Sequence, residues 1–239
     1  GGQGSRCILA DLHAAQPREL GMANRSADRV FGLVRLNAPL AEGALNRIFI
    51  LLRAQAGHDF SQYKPTTIHR RIERRMAVHQ VEAIDSYLKY LQQTPAEVEA
   101  LFRDLLIGVT NFFRDPEVFL ELETAVIPKI FESKTPGDAV RVWSAGCSSG
   151  EEAYSIAILL VEHMEALKQS YTVQVFATDI DETALQKAAT GVYLEGVIKD
   201  VTEQRVRRFF KKTGQSYQVV RQLREMMVFA SHNLTRNPP

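Results

Sequence analysis

Apolar residues recur every three to four positions in four successive blocks after residue 40. Ala44, Leu45, Ile48, Leu51 and Leu52 predict a first helix that stops near Gly57. Pro65-Thr66 opens a second, with Thr66 as its cap and Ile68, Ile72 and Met76 on one stripe. Ile84 to Gln92 reads as a third. Thr94 as cap and Pro95 at the first helical position start a fourth, which runs to about Leu106. Residues 41–115 are therefore expected to form a small all-helical domain. Residues 1–40 hold no sustained period and read as a linker or the remnant of an upstream segment.

The period changes at Pro116. A helix, Glu117 to Phe131, leads into an apolar strand at Val140, and a small-residue turn from Ser144 to Gly150 follows. A helix from Glu151 to Ala166, a strand from Thr172 to Thr178 and a helix from Thr183 to Thr190 complete an alternation. Alternating strands and helices predict a parallel sheet, hence a Rossmann-like α/β domain over residues 116–239. Between about 191 and 226 the pattern breaks into a basic helix, Val201 to Lys212, and an alternating strand at Tyr217 to Val220. This stretch reads as a β-containing insertion, after which Met227 to Ala230 returns to the character of a buried strand.

Composition narrows the function classes. Of 239 residues 45% are hydrophobic and 24% charged, and the net charge is +1, so any nucleic-acid or membrane partner would need a local patch. Cys7 and Cys147 lie far apart with no CxxC pair, which argues against zinc and disulfides and fits a cytoplasmic, reducing compartment. The six histidines make no metal pattern. Apolar runs are too short to span a bilayer. The chain opens on Gly1-Gly2 without methionine and stops at Asn237-Pro238-Pro239, so it reads as cut from a longer, multidomain chain, with the α/β domain of residues 116–239 expected to be incomplete and this fragment short of a full active unit.

The turn after the first strand carries the chemistry. A dinucleotide turn wants GxGxxG ahead of its helix, so that a pyrophosphate can sit on the helix N-terminus. Here only Gly146 and Gly150 are present, and the helix opens on Glu151-Glu152. Two carboxylates suit the macrodipole but repel a diphosphate. A cationic, hydroxyl-rich ligand fits instead, and S-adenosylmethionine is one. At the tip of the next strand, Asp179 stands where such sheets hold ribose hydroxyls, while Asp181 fits better as the cap of the following helix. Cys147 reads as a small filler, and Phe112-Phe113 as core.

The strings YKPTTIHRRIERRM (Tyr63 to Met76), VTNFFRDPEVF (Val109 to Phe119), VWSAGCSSGEEAYSIA (Val142 to Ala157) and FATDIDETALQKAATGVY (Phe176 to Tyr193), with HNL at His232 to Leu234, together resemble the chemotaxis receptor glutamate methyltransferases, the CheR family. The resemblance covers the chain from about Ala44. It implies a helical N-terminal domain, an S-adenosylmethionine-dependent methyltransferase domain and a β-rich insertion. It also implies cofactor contacts: Thr110 and Arg114 from the covering segment, Glu151 at the turn, Asp179 at the ribose, Asn233 and the Leu234 backbone at the adenine. Gly108 departs from the family's frequent Asn, and Ala153 from its frequent Pro.

Arg70, Arg71, Arg74 and Arg75 are expected to share one helix face opposite the apolar stripe. A solvated charged face is the plain explanation. A carboxylate-rich target explains the clustered arginines better than nucleic acid, since no aromatics interleave them. The resemblance implies that Arg70, Arg71 and Arg74 dock the glutamate-rich helices of a methyl-accepting receptor. A carboxylate acceptor is ionised at neutral pH and needs no strong base, in keeping with the lack of any catalytic triad. Fused or partner signalling domains are a further expectation. Two other readings stand: a cofactor- or receptor-binding regulatory module without turnover in a chemotaxis-like signalling protein, and a nicotinamide oxidoreductase, which the turn disfavours.

Overall fold

The computed structural model describes residues 42–106, 108–234 and 236–237, and the linker reading of residues 1–40 lies outside them. The described chain divides between Ile107 and Gly108 into two compact units.

The first unit holds α1 (Glu42–Ala56), α2 (Pro65–Val78), α3 (Ile84–Gln93) and α4 (Pro95–Leu105). Their inward stripes, among them Ile48, Leu52, Ile68, Ile72, Met76 and Leu101, fuse into one core with Phe60. That is the expected outcome of amphipathic helices too short to persist alone. The caps differ from expectation. Lys64 precedes α2 and Thr66 lies inside its first turn, because Pro65, with no N–H to satisfy, takes the first helical position. Thr94 does precede α4, but its hydroxyl makes no capping bond.

A larger difference concerns Arg75. It leaves the expected basic face and turns inward to Glu97, whose side chain is only 3% exposed. Its Nε donates to Glu97 Oε1 at 2.9 Å and its Nη2 to Oε2. Tyr87 donates to Glu97 at 2.7 Å, and His79 Nε2 lies 2.7 Å from the same carboxylate. Burial alone would raise the Glu97 carboxyl, but the hydrogen bonds from Arg75, Tyr87 and His79 outweigh it and hold it below the usual carboxylate value. A buried carboxylate draws the nearest guanidinium out of solvent, which helical spacing cannot reveal.

The second unit opens with α5 (Pro116–Glu121) and α6 (Ile127–Glu132), joined by a π-helical segment, Leu122–Val126. The sequence predicts one unbroken helix here, Glu117 to Phe131. Pro128 has no N–H for the carbonyl a turn earlier, and the ladder widens just ahead of it. β1 (Ala139–Ala145), α7 (Glu151–Leu167), β2 (Thr172–Asp179) and α8 (Glu182–Thr190) follow. Asp181 caps α8, accepting from the Thr183 and Ala184 amides at 2.9 and 3.0 Å. α7 is buried on every face from Ala153 to Val161, as its continuous apolar run requires.

The insertion comprises β3 (Val192–Leu194), α9 (Glu203–Phe209), β4 (Phe210–Thr213), β5 (Ser216–Val219) and α10 (Arg221–Glu225). Its sheet is antiparallel, in the order β3-β5-β4. The basic helix ends earlier than expected. Phe209 and Phe210 are consecutive and both buried, so the chain turns from helix to strand between them, and Lys211 and Lys212 sit on β4. β6 (Met227–Ser231) returns to the main sheet, which is parallel in the order β1-β2-β6. It is half-exposed rather than buried, with Val228 40% exposed, because among the described residues it pairs on one side only. No helix among the described residues is long and apolar enough to cross a membrane.

Candidate functional site

Pairing of Ala145 with Thr178 and of Asp179 with Ser231 brings the ends of three parallel strands level. In open α/β sheets this edge is where ligands bind. The turn after β1 is pinned to β2 by backbone bonds, Gly146 and Cys147 both donating to the Thr178 carbonyl at 2.8 and 2.9 Å. Ser148, at φ +48°, donates its amide to Asp179 Oδ2 at 2.7 Å. The other Asp179 oxygen accepts the Asp181 amide at 2.9 Å, and the Asp179 carbonyl accepts the His232 amide at 2.9 Å. Asp179 is thus the knot of the strand ends, with each carboxylate oxygen keeping further acceptor capacity for a ligand hydroxyl.

Gly150 closes the turn at φ +91°. A Cβ there would lie 2.8 Å from the Ala188 Cβ, so the position admits glycine alone without displacement. Tyr193, from β3, donates to the Ser149 carbonyl at 2.7 Å and walls the turn from the insertion side.

Glu151 is 2% exposed, and its carboxylate takes the Ser149 hydroxyl at 2.7 to 2.9 Å. Burial pushes its carboxyl above the usual value, only partly offset by that hydroxyl. Glu152 accepts from the Ser144 hydroxyl at 2.8 Å. Burial drives the Cys147 thiol far up, and the nearby charges of Asp179, Glu152 and Glu151 add to the effect. A thiol so held stays protonated, which fits a filler and not a nucleophile. These three carboxylates around one turn make a site that repels phosphate and favours a cation.

The segment that leads into α5 lies against this turn. A Cβ on Gly108 would sit 3.3 Å from the Ser148 hydroxyl, so the missing side chain keeps that approach open. Phe112 and Phe113 are core, at 0% and 8% exposure. Phe112 packs edge-on against Tyr193 and Phe210, with centroids 4.9 and 5.3 Å away. Phe113, at φ +49°, donates its amide to the Ser155 hydroxyl of α7 at 3.0 Å. Arg114 is exposed, and it donates to the Val109 carbonyl at 2.8 Å. Thr110 is half-buried. At the end of β6, Asn233 is half-buried, its amide bonded to Asn237 Oδ1 at 2.9 Å, and Leu234 is 54% exposed.

The strand-end geometry therefore gathers Glu151 and Asp179 around one turn, with Asn233 two residues beyond β6. A cavity of about 550 Å³ along the covering segment holds Arg114 but neither carboxylate, and is walled instead by Phe113, Phe119, Glu123 and Arg205. On the helical unit, Arg70 and Arg74 are exposed, whereas Arg71 is half-buried and its Nε has no hydrogen-bond partner among the described residues. Two residues at this site carry no local signal in the sequence: Tyr193 sits in a strand with nothing nearby to give it a role, and Arg205 looks like one charge among several on a basic helix.

Comparison with known proteins identifies the two units by family. Residues 108–239 match the model of the CheR methyltransferase SAM-binding domain, and residues 43–106 that of the CheR all-alpha domain. An uncharacterized 104.1 kDa protein of Rhodobacter capsulatus is 41% identical over 82% of this chain and 21% of its own. Chemotaxis protein methyltransferase 2 of Vibrio cholerae is 31% identical over 75% of this chain and 63% of its own, and the chemotaxis protein methyltransferase of Salmonella typhimurium 32% identical over 82% and 67%. The chain spans about a fifth of the first relative and under two thirds of the second. With a four-helix unit, a parallel sheet carrying an acidic glycine turn, and an antiparallel insertion each in the expected order, the chain belongs to the CheR methyltransferase family.

Proposed function

We propose that the protein transfers a methyl group from S-adenosylmethionine to glutamate side-chain carboxylates of chemotaxis receptors, forming methyl esters. The observation that carries this reading is the convergence of Glu151, Glu152 and Asp179 on a turn built without a phosphate-binding fingerprint. When bound, the cofactor supplies an electrophilic methyl on a sulfonium. The chain's own residues bind and orient. Asp179 accepts from the ribose hydroxyls, Asn233 and the Leu234 backbone meet the adenine, and Thr110 covers the cofactor. Arg114 offers its planar fork to the cofactor's carboxylate. Glu151 lends buried negative charge behind the turn.

No residue need act as a base, because the acceptor carboxylate, with a pKa of about 4.3, is already ionised at neutral pH. The work left to the protein is alignment and exclusion of water. Arg70 and Arg74, with Arg71 beside them, hold the acidic helices of the receptor. Arg75 is left out of this face, since it is committed to Glu97.

The test is calorimetric titration of the full-length protein with S-adenosylmethionine, followed by transfer of labelled methyl to receptor membranes. The expected result is base-labile label on glutamate. The double variant R70E/R74E should cut transfer at least tenfold with cofactor affinity unchanged. Cofactor binding without any transfer would overturn the enzymatic reading.

Glu151 makes a second prediction. Burial raises its carboxyl, so carrying the charge costs the fold stability, and stability falls as pH rises through that raised value. Cofactor affinity should move the opposite way and weaken as pH falls through it, since protonation removes the charge. Glu151→Gln is expected to bind about tenfold more weakly at neutral pH, with no pH dependence in that window, and to melt about 2–4 °C higher without cofactor. Titrations at several pH values and thermal scans check both. Wild-type affinity in E151Q would remove Glu151 from the site.

A further inference from the structure

The covering segment holds two non-glycine residues in the left-handed region, Phe113 at φ +49° and Asp115 at +57°, on either side of Arg114. Such a conformation is costly for a side-chain-bearing residue and persists only where surrounding contacts impose it. For Phe113 those contacts are visible. Its amide is tied to Ser155, one edge of its ring meets Phe119 with centroids 5.3 Å apart, and the Arg205 guanidinium lies 4.6 Å from its centroid.

Arg205 belongs to α9 of the insertion and is itself immobilised. Its Nε donates to both Glu162 oxygens at 3.1 Å, and its Nη2 reaches Glu162 at 2.7 Å and Glu123 at 3.3 Å. Its side chain is 18% exposed. Burial works against the charge, but Glu162 and Glu123 more than restore it. The result is a flat cation, fixed by one acid from α7 and one from the π-helical segment, laid over an aromatic ring. A guanidinium held in this way orients a ring as well as attracting it.

We propose that Arg205 is a positioning residue for the cofactor-covering segment: it holds the Phe113 ring, and with it the left-handed turn that aims Arg114. Arg205 itself touches no cofactor. This rests on the reading of Arg114 and Thr110 as cofactor contacts. It gives the insertion a part in cofactor capture, through a residue that none of the recognised strings contains.

Arg208 supplies the control. It also bridges α9 to α7, through Glu165, but it stacks on Phe209 of its own helix and not on the covering segment. Both Arg205→Met and Arg208→Met remove one bridge between the same two helices. In the cofactor-free full-length protein, R205M should speed hydrogen exchange of the Phe113 amide at least tenfold, while R208M leaves it within twofold of wild type. In calorimetry R205M should bind S-adenosylmethionine about tenfold more weakly, with R208M unchanged. Steady-state assays should show the loss in KM for the cofactor and not in kcat.

Unchanged exchange at Phe113 in R205M overturns the clamp. Equal effects of R205M and R208M also overturn it, since general docking of the insertion would then be the cause. Faster exchange with wild-type cofactor affinity overturns the positioning role. Failure of the wild-type protein to bind the cofactor sinks the functional reading instead, and the exchange result still stands as a separate measurement.

Discussion

Gly150→Ala is expected to destabilise the α/β unit by about 2–5 kcal/mol and to abolish measurable cofactor binding. Two costs combine. A β-carbon at φ +91° is strained whatever surrounds it, and this one would also lie 2.8 Å from the Ala188 Cβ and 3.2 Å from the Tyr193 hydroxyl. Relief requires α8 or the turn to shift. The turn carries Ser148 on Asp179 and Ser149 on Glu151, so its displacement misplaces both carboxylates. Gly137→Ala separates the two costs, because its φ is +93° with nothing within 4 Å of the added carbon. It should lose only the backbone part, about 1–2 kcal/mol, and bind cofactor normally. Denaturant melts and calorimetry on the two variants decide the matter. Equal destabilisation would mean that the contact with Ala188 is relieved without cost.

Arg75→Met is expected to cost the helical unit about 3–5 kcal/mol, the range for removing one partner of a buried pair. Glu97 would remain 3% exposed with only Tyr87 and His79 to satisfy it. The double variant R75M/E97L should recover most of the loss, since it leaves no buried charge behind. The pH dependence follows from the depressed Glu97 value. Its stabilisation is complete above the ordinary carboxylate pKa and is lost as pH falls through the lower, folded value. The wild-type unit should therefore weaken in acid over that window while R75M/E97L does not. Hydrogen exchange of the α2 to α4 amides reads this unit separately from the other. A wild-type-like R75M would show that the ion pair adds nothing beyond its desolvation cost.

The helices and strands were legible because their signals are local. Ile68, Ile72 and Met76 repeat at the helical period whether or not anything lies against them, and Asp181 caps α8 from its own sequence neighbourhood. Expectation failed where a neighbour distant in sequence intervened. Phe210 pairs with Val219, so the basic helix stops seven residues in, and Arg75 answers a carboxylate twenty-two residues away. Pro128 is a visible helix breaker, but whether it ends the helix or widens it depends on what packs there.

The site divides in the same way. By itself the sequence determined the strand–turn–helix unit, its acidic helix start, the carboxylate at the tip of the next strand, and the family these belong to. Each is a matter of residue type at short spacing. Only the tertiary structure decided that Glu151 lies buried behind the turn on Ser149, that Asp179 ties Ser148 to the strand ends, that Tyr193 reaches the Ser149 carbonyl from the insertion, and that Arg205 lies over the Phe113 ring. The physical reason is that burial, and with it the strength of a charge or hydrogen bond, is set by what the rest of the chain brings alongside.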